Sequence, residues 1–108
     1  MSSIGVTITG GSDGGAVLIA VAGEIDLSNS EHVEQQIASF ISNRTMHAVV
    51  DLTQVTYIDS IGMRVLFGLA TSLQTAQIGL KLIAPIGSPA RRLIEISGLD
   101  VIVDVEPG

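Results

Sequence analysis

The sequence predicts a single α/β domain over residues 1–108: a mostly parallel, mixed β-sheet that opens with an antiparallel hairpin, with helices packed on the sheet. Three observations predict it. Short apolar runs rich in Val and Ile alternate with stretches whose apolar residues recur at helical spacing, the pattern of β-α units. The first two apolar runs have no helical stretch between them, which makes them a hairpin. The chain has 108 residues, 46% of them hydrophobic, enough for one core and too few for two.

The hairpin pairs Ile4–Thr9 with Ala16–Ala22 across the glycine-rich "ITGGSDGGAV", which reads as a flexible connection. A phosphate-cradling loop would need a helix after the glycines and, in the P-loop form, a lysine. A strand follows here and the lysine is missing. "AVLIAVA", Ala16 to Ala22, is apolar at every position and predicts a central strand covered on both faces. The chain turns polar at Gly23-Glu24-Ile25-Asp26. A helix then starts at Ser28 and Glu31, whose spacing is that of a capping box. Its Val33, Ile37, Phe40 and Ile41 face the sheet, while Glu31, Glu34, Gln35 and Gln36 face water.

His47–Leu52 is the next buried strand, with Asp51 at its end, and Thr53–Ile58 connects it to a helix over Ser60–Ala76. Leu80–Ala84 is a third central strand. "GSPARRLIEISG" is a helix with Ser88 as N-cap, Pro89 in its first turn and Gly98 as C-cap. Val101–Val105 is the last strand. The expected order is β-β-α-β-α-β-α-β.

Composition narrows the function. Five basic against eleven acidic residues give a net charge of -6, which argues against nucleic acid as a partner. Without cysteine there is no disulfide framework or thiol chemistry. The longest apolar run falls far below the roughly 20 residues of a membrane helix, and no secretory signal pattern is seen. A cytoplasmic protein with no membrane association is expected.

In open α/β sheets the functional loops gather at the carboxyl ends of the strands. Glu24, Asp26, Asp51 and Asp59 are expected there, with Ser60 directly after. With Gly62, Val65, Leu66, Leu69 and Leu73 as the core stripe of the helix, Ser60, Met63, Arg64 and Phe67 point outward, and a Met–Phe pair beside Ser60 suits a protein contact. Gly62 lets the helix start close to a strand. A phosphoryl group on Ser60 would meet free N–H groups and the positive end of the helix. Asp59 or Ser60 as a plain helix cap is the competing reading. No G-x-S-x-G elbow is present, and His32 and His47 have no evident relation to Ser60, so a catalytic serine is not expected. Asp26, Asp51 and Asp59 lack the spacing of a cation site and read as solvated carboxylates. No catalytic residue, cofactor or metal is assigned.

Three segments, "VAGEIDLSNSEHVEQQI", "HAVVDLTQVTYIDSIGMRVLFGL" and "GLKLIAPIGSPARRLIEISGLD", carry a resemblance over about Val17 to Val105. The chain resembles the STAS-domain anti-sigma factor antagonists. The resemblance implies a non-enzymatic switch. In that family the serine after the motif aspartate, here Ser60, accepts phosphate from an anti-sigma factor that is also a serine kinase. The unphosphorylated form binds that kinase and releases the sigma factor. A serine phosphatase reverses the modification. The resemblance also places Asp26 and Asp59 beside the phosphoacceptor; with Ser60, Ile61, Gly62, Arg64 and the outward pair Met63 and Phe67 they make up the expected partner-binding set. Two residues depart from the pattern. Ile61 stands where many members carry a second hydroxyl, and Arg64 replaces a frequent glycine. Arg64 lies at i+4 from Ser60, where it would either pair with a phosphate or oppose a partner. A C-terminal helix, usual in the family, is expected to be short or absent. A STAS scaffold or transporter accessory subunit, with no phosphorylation, is the alternative on the same fold.

Overall fold

A computed structural model describes residues 5–108. Ile4, the expected start of the first strand, lies outside the described residues. In chain order the elements are β1 (Val6–Asp13), β2 (Ala16–Ile25), α1 (Ser30–Ser39), β3 (His47–Ile58), α2 (Ser60–Thr75), β4 (Gly79–Ile83), α3 (Pro89–Ser97), α4 (Leu99–Ile102) and β5 (Asp104–Glu106). The sheet has five strands in the order β1-β2-β3-β4-β5. The β1–β2 pair is antiparallel and the other three are parallel.

The strand order never reverses, and this decides where the helices lie. Parallel crossovers are right-handed, so successive crossovers in one direction leave their helices on the same face. The register agrees. Val17 pairs with Ala48, Ile19 with Val50, and Val50 with Leu82, and all five are buried. They form one cluster with Val33 and Ile37 of α1, Leu66 and Leu73 of α2, Ala90 and Ile94 of α3, and Leu99 of α4. On the other face Leu18 is 54% exposed and pairs with half-buried Val49. The expectation that β2 is covered on both faces is therefore corrected: its apolar run spans a buried face and an open one made mostly of alanine.

The hairpin forms with a tighter turn than expected. Asp13 pairs with Ala16, so only Gly14 and Gly15 turn, and Gly14 supplies the positive φ of 64° that such turns use. Gly10 and Gly11 are strand residues. Gly10 lies under the Phe40 ring, where a Cβ would come within 2.7 Å of Cδ1. The two central strands are also longer than expected. Residues 23–25 belong to β2 and Thr53–Ile58 to β3, and they pair with each other through two register irregularities. Bulges of this kind hide the period-2 alternation that marks a strand.

The end of the chain differs too. Gly98 caps α3 in the left-handed conformation, φ 80°, as expected. The chain then makes the short helix α4, with Val101 N–H donating to the Gly98 carbonyl and Val103 N–H to that of Leu99. Leu99 is fully buried by this turn, and the last strand is confined to Asp104–Glu106.

Candidate functional site

The site is built where β2 and β3 end together and α2 begins. Ile25 pairs with Ile58, and the Asp59 N–H donates to the Ile25 carbonyl at 3.2 Å. Asp26 and Asp59 thus follow adjacent strand ends, both half-buried. Asp51 does not join them. It pairs with Ala20, five residues of β2 before Ile25, or about 16 Å at the strand rise of 3.2–3.4 Å per residue. Its Oδ1 accepts from the Thr53 N–H at 2.9 Å, within the strand. The extension of β3 to Ile58 is the reason.

The helix start answers the question of which residue is the cap. Asp59 is the N-cap in extended backbone conformation, and its Oδ1 accepts from the Gly62 N–H at 2.8 Å. Its carbonyl accepts from the Met63 N–H at 3.0 Å. The second is the first regular bond of the helix, and the Asp59 side chain satisfies one of the orphan donors of the first turn. Ser60 is the first helical residue and is exposed, and its hydroxyl makes no hydrogen bond among the described residues. The hydroxyl is free for chemistry, and the helix does not depend on it.

Gly62 is required by packing. A Cβ there would lie 2.8 Å from the Ile25 carbonyl oxygen, 2.8 Å from Ile58 Cγ1 and 2.9 Å from Ile25 Cγ2. The first turn of α2 therefore sits directly on the ends of β2 and β3. This close seat also rotates the helix relative to the expected stripe. The buried residues of α2 are Gly62, Met63, Val65, Leu66, Ala70 and Leu73. Met63, expected to point outward, is 5% exposed and belongs to the core. Phe67 is half-buried and packs on the same cluster. Of the outward set, only Ser60 and Arg64 are exposed, and Ile61 of the expected partner-binding set is half-buried.

The loop after β2 is held by a different set of bonds from the capping box expected at Ser28 and Glu31. Asn29 occupies the N-cap position of α1. Its Oδ1 accepts from the Asp26 N–H at 3.0 Å, and its Nδ2 donates to the Glu24 carbonyl at 2.7 Å. Ser28 instead gives both its N–H (2.9 Å) and its Oγ–H (2.5 Å) to Asp26 Oδ1. Buried Asn29 and exposed Ser28 divide the roles this way because Asn29 can both donate and accept inside the loop. The result fixes Asp26 beside the start of α2.

Two exposed apolar residues at the ends of β2 and β3 were not singled out from the sequence. Leu27, next to Asp26, is 72% exposed, and Tyr57, opposite Glu24 in the register, is 49% exposed. The missed signal is an apolar residue immediately flanking each motif aspartate region. No group of three or more His, Cys, Asp or Glu side chains suited to a metal occurs among the described residues. No helix among them is long and apolar enough to cross a membrane.

A mixed sheet with one antiparallel edge pair, helices on one face and a free serine at an aspartate-capped helix start defines the class to which this chain compares. The chain belongs to the STAS domain family, whose model matches residues 10–107. It is 30% identical over 96 residues to the anti-sigma-F factor antagonist RsfB of Mycobacterium tuberculosis, covering 88% of this chain and 76% of that protein. It is 34% identical over 88 residues to an anti-sigma-B factor antagonist of Listeria monocytogenes, covering 82% and 76%. The fold matches the crystal structure of an anti-sigma factor antagonist from Mycobacterium paratuberculosis with a TM-score of 0.86, at 25% identity, over 99% of this chain and 90% of that one.

Proposed function

We propose that this chain is a cytoplasmic anti-sigma factor antagonist, a binding protein rather than an enzyme, switched by phosphorylation of Ser60. The unphosphorylated form binds an anti-sigma factor that is a serine kinase, and the sigma factor is released. The kinase moves the γ-phosphoryl group of ATP onto Ser60 Oγ, the serine proton leaves, and ADP is the other product. A phosphatase hydrolyses the ester and restores the binding form. The observation that carries this reading is the division of roles at the helix start: Asp59 is the cap, and Ser60 is exposed with an uncommitted hydroxyl.

Energetics support it. The phosphate brings about -1.5 to -2 charges, and weakening a complex a thousandfold takes about 4 kcal/mol. A buried unpaired charge costs that much, so no refolding is needed. Within the chain the new charge has stabilising neighbours in the positive helix end and in Arg64, one turn on, which makes no ion pair among the described residues. Asp26, Asp59 and Ile61 surround Ser60 in this contact, and Leu27 and Tyr57 supply its apolar rim.

The test is to incubate the protein with anti-sigma factors of its own organism and ATP, and to map the phosphate by mass spectrometry. Modification of Ser60 together with loss of the complex is the expected result. Phosphate on Thr53, Thr56 or Ser88 with Ser60 untouched would overturn the reading. A stable complex with a transporter or scaffold and no phosphate would favour the accessory-subunit alternative.

A further inference from the structure

Helix α2 carries a second glycine, Gly68, whose presence the chain's own packing does not explain. A Cβ at Gly62 would collide with strand ends, but among the described residues one at Gly68 would meet only Glu34 Oε2, at 3.9 Å, an ordinary contact with the tip of a flexible side chain. Glycine is disfavoured against alanine in the middle of a helix, so the sequence keeps an unfavourable residue where space is open. That space is an apolar groove between α1 and α2, of about 210 Å3, with Ile37, Ile41, Val65, Leu69 and Ser72 among its walls and Gly68 at its side. Glu34 stands on the rim and has no cationic partner among the described residues. Glu34 and Val65 also line a neighbouring, shallower hollow with Ile61 and Arg64, so the groove lies beside the residues next to Ser60.

We infer that this groove takes an apolar side chain of the anti-sigma factor, followed by a basic group that pairs with Glu34. The inference rests on the reading of Ser60 as the contact point and deepens it. Its adjacency to Ile61 and Arg64, which flank Ser60, places the groove within reach of the same partner. The unpaired carboxylate on its rim, on a chain of net charge -6, selects a basic segment. Gly68 leaves room for the side chain to enter, and its absence of a Cβ is then a feature of the contact rather than of the fold.

The test compares Gly68→Met, which fills the groove, with Gly68→Ala, Glu34→Gln and Ser60→Asp, each titrated against the anti-sigma factor kinase that phosphorylates Ser60. Thermal unfolding of Gly68→Ala and Gly68→Met should show midpoints no lower than that of the parent chain. Gly68→Met should then bind at least tenfold more weakly, and Glu34→Gln several-fold more weakly with a reduced salt dependence. Gly68→Met binding like the parent while Ser60→Asp is weakened would overturn the groove and leave the Ser60 reading standing. No weakening in Ser60→Asp would remove both. Sedimentation showing a dimer of this chain that Gly68→Met dissociates, with kinase binding unchanged, would overturn it in favour of a second copy as occupant.

Discussion

Asp59 Oδ1 lies 2.8 Å from the Gly62 nitrogen, and this one bond gives the cap of α2 to the aspartate and leaves Ser60 out of it. Replacing a capping aspartate by alanine costs about 0.5–2 kcal/mol, or about 4–8 °C in melting temperature per kcal/mol for a domain of this size. Asp59→Ala should show such a loss, and Asp59→Asn, which keeps the acceptor, much less. If the Asp59 charge also engages the kinase, Asp59→Asn will weaken binding while its melting curve stays near the parent's. A melting loss in Asp59→Asn as large as in Asp59→Ala would show that the cap has been misassigned.

Ser60→Ala removes a hydroxyl that bonds to nothing among the described residues, and it should keep both stability and kinase binding. Ser60→Asp should bind at least tenfold more weakly, a change of about 1.4 kcal/mol, and less weakly than full phosphorylation because aspartate carries less charge. Titration calorimetry on the two variants decides it, and equal affinities would count against a charge-operated contact.

Gly62→Ala should destabilise the fold although alanine favours helices by about 1 kcal/mol. The added methyl would meet backbone and side-chain atoms at 2.8–2.9 Å, and overpacking of this kind costs about 1–3 kcal/mol. The urea midpoint is the readout, and a midpoint at or above the parent's would contradict the close seat of α2 on the strand ends.

Met63→Ala should behave as a core truncation. At 5% exposure the expected loss is about 2–5 kcal/mol, with kinase affinity near the parent's wherever the variant remains folded. A stable Met63→Ala protein that fails to bind would put Met63 back on the outward face.

Leu27→Ser and Tyr57→Ser test the apolar rim. Exposed substitutions usually change stability by less than about 0.5 kcal/mol, so both variants should melt with the parent and lose several-fold in affinity. Affinities equal to the parent's in both would remove this rim from the contact.

The parts of the fold that were legible in the sequence are those set by neighbours in the chain. Ser88, Pro89 and Gly98 bracket α3 because capping and left-handed termination need only a few adjacent residues, and the Ser88 hydroxyl accepts from the Arg91 N–H at 3.2 Å. Ser60 at a helix start was legible for the same reason. What escaped depended on distant contacts. Near the start of α1, Asp26, Ser28 and Asn29 all have side chains able to cap, and only the fixed Glu24 carbonyl and the strand end choose among them. The centring of the α2 stripe allowed Met63 either side of the buried arc until the seat of Gly62 on Ile25 set the rotation. Residues 101–103 read as strand by their β-branched side chains, but burial of Leu99 after Gly98 prevails.

The separation of cap from hydroxyl also bears on tempo. None of the hydrogen bonds that start helix α2 passes through the Ser60 side chain, so the proposed phosphoryl group would break none of them. The proposed cycle would then need no local unfolding, which elsewhere adds steps of microseconds to seconds. The fraction of molecules in each form would then follow only the ratio of the rates of phosphate addition and removal, and the domain would report that ratio without memory of its past state.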